Sequence, residues 1–223
     1  FLKDGALRLW GETNLQDVLL QEISLGNIIH ARTRVAPDGP CFFIGLNMNV
    51  YLPKPGEKIL RLEACPDEPY QFFAVHNMET DADFIKMELS GEANASSDAW
   101  SHSLLSLGSD GKSIFVLTHL DGEFSSATFD INPVWQAETA MFMIGTWPEG
   151  ENQFLDVDFI RVAEGSLDDY LAEYFPSYAV EPVSTEPIEA TEPASMEFSI
   201  SQSLDFTNAE DLSELNKFLD ENG

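Results

Sequence analysis

The sequence predicts an all-β domain, an antiparallel sandwich or barrel, and three observations carry that prediction. Asp121-Gly122 stands inside Ser113 to Phe129, between two runs rich in β-branched and aromatic residues. A two-residue Asp-Gly in that setting is the strongest short-range mark of a β-hairpin with a type I′ turn. Short stretches of strand-like composition recur as far as residue 162, with Pro, Gly and Asp between them. No long helical period competes before residue 164. The Asp121-Gly122 hairpin is expected at the centre of the domain.

The elements follow in order. Leu2 to Trp10 alternates about an Asp4-Gly5 turn, with Leu7 and Leu9 on one face and Ala6, Arg8 and Trp10 on the other. Asn27 to Val35 reads as a strand closed by Pro37-Asp38-Gly39-Pro40, and Cys41 to Tyr51 as a second that ends at Pro53-Lys54-Pro55-Gly56. Ile59 to Ala64, Tyr70 to His76, Phe84 to Leu89 and Trp100 to Leu107 continue the series. Beyond the hairpin come Ala140 to Thr146 and Phe154 to Val162, across Pro148-Glu149-Gly150. Ser166 then caps a short helix whose stripe is Leu167, Tyr170, Leu171 and Tyr174, stopped by Pro176.

Four regions result: a sandwich body over 1–163, a short helix packed on it over 164–179, an acidic Pro-rich linker over 180–195, and a strand plus helix over 196–223. The linker is Pro, Glu, Thr, Ser and Ala, too polar to offset the entropy of ordering. Met196, Phe198, Ile200, Leu204 and Phe206 mark the final strand. Thr207 and Glu210 make a capping box for a helix striped by Leu212, Leu215, Phe218 and Leu219. A strand and an amphipathic helix with no core of their own must dock on something, either this sandwich or a neighbouring copy.

The chain has 223 residues, of which 43% are hydrophobic and 11% aromatic, enough for a sizeable core. Its formal net charge is −28. That excess opposes nucleic acid and anionic membranes, and it favours solubility and divalent cations. No stretch approaches the ~18 apolar residues of a membrane span, and residue 1 reads as a processed or excised end. Cys41 and Cys65, the only cysteines, form a disulfide if their strands are neighbours and stay buried thiols otherwise. Asn94-Ala95-Ser96 matches a glycosylation acceptor.

Asp4-Gly5-Ala6-Leu7-Arg8-Leu9, the strand–Asp121-Gly122–strand unit and Asp156-Val157-Asp158-Phe159-Ile160-Arg161-Val162 together resemble the concanavalin A-like superfamily of lectins and glucanases, in its laminin-G-like sense. The resemblance covers residues 1 to 163 and implies a jelly-roll β-sandwich. Such domains open with a short Asp-Phe strand ahead of the Asp-Gly-Ala-Leu strand, whereas here Asp205-Phe206 lies at the far end of the chain. Three explanations fit: one unit of a repeat array, a circular permutation, or a C-terminal strand lent to the next copy by β-augmentation. A heterologous contact of that kind does not close, so it grows a filament.

Catalysis finds little support. A retaining glucanase of the resembled superfamily needs two glutamates about 5 Å apart on one strand. The nearest match, Glu79-Thr80-Asp81-Ala82-Asp83, lacks the last one. His30, His76, His102 and His119 share no metal spacing, and His119 reads as a strand residue beside the turn. Calcium is the candidate ion, with Asp81, Asp83, Asp156 and Asp158 as its hard oxygen ligands and Asp67 with Glu68 as a further pair. Glycan binding would use an exposed aromatic residue, with Trp147 and Trp100 ahead of Trp10 and Trp135, against a core role for each. The leading expectation is a non-catalytic extracellular structural module that polymerises head to tail through its C-terminal strand. The alternative is a carbohydrate-binding, lectin-like domain that uses calcium.

Overall fold

Alternation along Asn27–Val35 sends Ile29, Ala31 and Val35 to one side and His30, Arg32 and Arg34 to the other, and this split sets the architecture. The computed structural model describes residues 2–3, 5–10, 13–16, 22–35, 41–47, 59–65, 71–75, 84–88, 99–131, 139–146, 154–179 and 198–206. Its early strands are β1 (Leu2–Lys3), β2 (Ala6–Trp10), β3 (Thr13–Gln16), β4 (Ile23–Ser24), β5 (Asn27–Val35), β6 (Phe42–Asn47), β7 (Ile59–Ala64), β8 (Gln71–Val75) and β9 (Phe84–Glu88). The later elements are β10 (Ser101–Leu107), β11 (Ser113–Leu120), β12 (Glu123–Asp130), β13 (Thr139–Thr146), β14 (Phe154–Gly165), helices α1 (Leu167–Tyr174) and α2 (Pro176–Ala179), and β15 (Phe198–Asp205).

Two antiparallel sheets form. One runs β1-β2-β14-β5-β10-β11-β12 with β15 also on β14; the other runs β3-β13-β6-β7-β8-β9 with β4 on β13. Their inner faces enclose the main core, in which Ile29, Ile44, Leu60, Leu105, Ile114, Val116, Phe142 and Ile160 are buried. This is the jelly-roll sandwich that the sequence predicts. Among the described residues no helix is long and apolar enough to cross a membrane.

The hairpin turn is type I′ in character, with φ 50° at Asp121 and 91° at Gly122. It does not hold the centre, however: β12 is the outermost strand of its sheet, and the central strands are β14 and β5. Cys41 and Cys65 are bridged, their Cα atoms 4.1 Å apart. Pairing of Phe42 with Ala64 between β6 and β7 makes them neighbours. Gly45 of β6 is required at a close approach, since a Cβ there would overlap the Leu60 carbonyl oxygen and come within 2.8 Å of the Arg61 Cα.

The C-terminal strand, expected on this sandwich or on a neighbouring copy, lies on this one. β15 pairs with β14 of its own chain, from Phe159↔Asp205 to Gly165↔Phe198. β2 lines only Phe154 to Val157 of the twelve-residue β14. The rest of that edge would stand open without β15, whose Leu204, followed by Phe206, closes the core. Met196 and the predicted docking helix, Leu212, Leu215, Phe218 and Leu219, lie outside the described residues.

Candidate functional site

The outward face of the larger sheet carries the chain's most unusual chemistry. Cross-strand register arranges it in rows. Arg8 of β2 and Arg34 of β5 both lie opposite Asp156 of β14. In the next row Phe159, Arg32, His102, His119 and Phe124 follow one another from β14 to β12. One row further stand Arg161, His30, Leu104, Leu117 and Ser126.

The first row is an ion-pair ladder. Arg8 grips Asp156 with two hydrogen bonds, Nε to Oδ1 at 2.5 Å and Nη2 to Oδ2 at 2.7 Å. Arg34 adds Nη2 to Oδ2 at 2.7 Å. Asp156 is wholly buried, and burial alone would raise its carboxyl pKa; the hydrogen bonds and charges of the two arginines outweigh that and hold it below the ordinary value. A β-bulge after Val157 releases Asp158 from the register with β5, and its Oδ2 accepts from Arg32 Nη1 at 2.7 Å. Half-buried Trp100 lies against both arginines, its ring centroid 5.0 Å from the Arg32 guanidinium carbon and 4.7 Å from that of Arg34.

The opposite end is covered. Ser166 accepts a hydrogen bond from the Asp169 N–H at 3.2 Å and starts α1, which lays Tyr170, Leu171 and, past its end, Phe175 over Ile28, Leu104, Leu117 and Ala163. At the boundary His30 Nδ1 lies 3.0 Å from Tyr170 Oη, and His30 Nε2 lies 2.8 Å from His102 Nδ1. With the His30 proton on Nε2, Tyr170 donates to Nδ1 and His30 donates onward to His102; with the proton on Nδ1 both directions reverse. His119 follows, 5.9 Å from His102 between ring centroids and stacked on Phe124 at 4.3 Å. Burial, joined by mutual repulsion and by Arg161, lowers the His30 pKa well below its usual value. Burial, Arg32, His119 and Arg161 bring His102 down to about 4. Burial also lowers His119, against the pull of Asp121.

Several expected site residues meet here and others do not. Asp156 and Asp158 share this face but do not fit a calcium ion, because Asp156 has both oxygens bonded to guanidinium groups and Asp158 is paired with Arg32. Among the described residues no group of three or more His, Cys, Asp or Glu could hold a metal ion. Asp81, Asp83, Asp67, Glu68 and Trp147 lie outside the described residues. Trp100 lies beside Arg32 and Arg34. Sequence reasoning missed the histidine row, whose signal is nonetheless present: a turn between Leu107 and Ile114 pairs His102 with His119 by simple counting. It also missed the ladder, written as Arg32 and Arg34 two apart on β5 and Asp156 and Asp158 two apart on β14.

No protein-family model matches the chain, and no curated protein matches it. Solved structures do. The exoplasmic/lumenal domain of VIP36, in a form bound to Ca²⁺ and Man3GlcNAc, is 10% identical, with a TM-score of 0.52 over 73% of this chain and 79% of that one. A pseudo beta-1,3-glucanase of Mycobacterium tuberculosis is 13% identical, with a TM-score of 0.43 over 64% of this chain and 65% of its own. The beta-glucanase of Bacillus licheniformis is 11% identical, with a TM-score of 0.43 over 62% and 64%. The chain thus spans just under two thirds of the length of the two bacterial proteins. At such identities likeness speaks for the fold alone, and that fold is the concanavalin A-like jelly roll.

Proposed function

We propose that this chain is a non-catalytic carbohydrate-binding domain of an extracellular or secreted protein, and that it binds glycan at the end of the larger sheet's outward face that carries Trp100, Arg32 and Arg34. The observation that carries this reading is Trp100, half-buried, with Arg32 and Arg34 against its ring and Asp158 beside them. An aromatic ring offers an apolar plane to the C–H face of a sugar, and the flanking polar groups hydrogen-bond its hydroxyls. Two facts add support. The VIP36 exoplasmic/lumenal domain, of the same fold, is solved with Man3GlcNAc bound. The Cys41–Cys65 bridge suits an oxidising compartment.

A hydrolase is disfavoured on this face. Asp156 and Asp158 are held by arginines rather than presented as an acid and a nucleophile. Head-to-tail assembly loses its motive as well, since β15 already satisfies β14 within the chain. Calcium takes no ligand from Asp156 or Asp158 in this reading.

Affinity electrophoresis against a panel of soluble polysaccharides, followed by Trp100→Ala, tests the proposal. Binding to at least one polysaccharide is expected. Loss of a central aromatic anchor costs about 2 kcal/mol, about thirty-fold in Kd. A Trp100→Ala protein that binds as well as its parent would remove the site, and a chain that retains no polysaccharide would remove the function.

A further inference from the structure

We infer that the saccharide taken by this face is anionic, carrying carboxylate or sulfate groups. The inference rests on the carbohydrate reading above and extends it to the chemistry of the ligand.

Charge distribution is the first ground. The chain carries 39 acidic and 11 basic residues, and only five of the basic ones are arginines. Four of those five, Arg8, Arg32, Arg34 and Arg161, stand on this one outward face. Facing them are the carboxylates of Asp156 and Asp158, and Asp130 of β12 and Asp205 of β15 share the outward side, so four arginines meet four carboxylates and the strands of this face are close to neutral inside a chain whose formal charge is −28. A solvated surface needs no such segregation. At physiological salt the field of distant carboxylates is screened beyond about 8 Å, so an arriving anion responds to the guanidinium groups it touches.

Donor chemistry is the second ground. A guanidinium has five N–H donors and no acceptor, and its complement is an acceptor-only group with two or more oxygens in a plane or on a tripod. A neutral sugar hydroxyl, which donates as readily as it accepts, makes no special call for arginine. Arg34 and Arg32 each place one terminal N–H on an aspartate oxygen. Both remain partly open, with side-chain exposures of 29% and 35%. Arg32 Nε is buried with no hydrogen-bond partner. Trp100, resting on both groups, holds the two forks in place. His102, at the edge of the same row, is neutral at pH 7 and adds no competing charge.

Binding of the full chain to paired polymers tests this: polygalacturonate against its carboxyl-reduced form, and dextran sulfate against dextran, by affinity electrophoresis and calorimetry at 0.15 M salt. At least one anionic member should bind tenfold or more tighter than its neutral partner, and whichever pair responds identifies carboxylate or sulfate as the recognised group. Arg34→Gln should lower that affinity about tenfold with the melting profile retained, because Arg8 still neutralises Asp156. Lys112→Gln, which removes one charge from an exposed turn on the same sheet, should leave it unchanged. Equal affinity for the neutral partners overturns the anionic ligand and leaves the glycan reading standing. Equal losses in Arg34→Gln and Lys112→Gln overturn it as unspecific charge attraction. Binding to no polysaccharide, charged or neutral, overturns both.

Discussion

The two ends of the larger sheet's outward face share strands β14 and β5 and handle burial in opposite ways. At one end Asp156 is sunk between Arg8 and Arg34 and stays charged, with hydrogen bonds and opposite charges replacing water. At the other, His30 is sunk beneath α1, where the nearby charged groups are the arginines, and it stays neutral. Two rows of a β-ladder separate them. Burial pushes both groups toward the neutral form; at His30 the neighbours reinforce that push, and at Asp156 the hydrogen bonds and charges of Arg8 and Arg34 overturn it. The charged end keeps Arg32 and Arg34 partly open, whereas the histidine end is closed by aromatic side chains.

The largest effect that would break this comparison is expected from Asp156→Ala. It leaves Arg8, only 5% exposed, without its carboxylate, and removing one partner of a buried ion pair costs about 3–5 kcal/mol. Urea denaturation at pH 7 reads that loss. Replacing Arg8 and Asp156 together by apolar residues of similar volume should recover most of it, because no charge is then stranded. A single replacement that melts with the parent would mean that water already reaches Asp156.

Much of the fold was legible in the sequence because its signals are local. The bounds of β5 and β7 are those that alternation predicts, and the Asp121-Gly122 turn has the positive φ angles its residues favour. β3 and β4 were missed, since four residues and two residues carry too little period to register. The hairpin's position at the edge was not legible, because pairing order depends on which distant strands meet. The site fared worse for the same reason. Asp156 and Asp158 look like a calcium pair until β5 is laid beside β14, when Arg32 and Arg34 claim their oxygens. The three histidines look unrelated at 30, 102 and 119 until β5, β10 and β11 align them.

Acid should separate the two ends next. A depressed histidine pKa means that the unfolded chain binds more protons than the folded one between the folded value and the ordinary 6.5. Stability therefore rises with pH across that window and is lost as pH falls through it. For His102 the window runs from 6.5 to about 4. At about 1.4 kcal/mol per unit the full effect is on the order of 3–4 kcal/mol, with His30 acting in the same direction. Among the described residues the groups that face the pair are Arg32 on β5, His119 on β11, Arg161 on β14 and Tyr170 and Tyr174 on α1, none of them a carboxylate. Asp156, also depressed, contributes the same slope only below its ordinary value near 3.8. Denaturation midpoints taken from pH 7 to 4.5 should fall, and His102→Phe should flatten the slope. An unchanged slope in that variant would place the titration elsewhere.

The smallest effect sharpens the comparison most. Ser166→Ala removes the oxygen that accepts from the Asp169 N–H, a cap worth about 1 kcal/mol, and touches neither end of the face directly. Hydrogen exchange should quicken at Asp169 and Tyr170 in the first turn of α1, and the cover over His30 should open more often. If the ends are independent, affinity at Trp100 stays as it was, because Arg32 and Arg34 are held by aspartates of β14 and not by the helices. A parallel loss of affinity would show that the helices reach the charged end through His102 and Arg32, and the face would have to be treated as one cooperative unit.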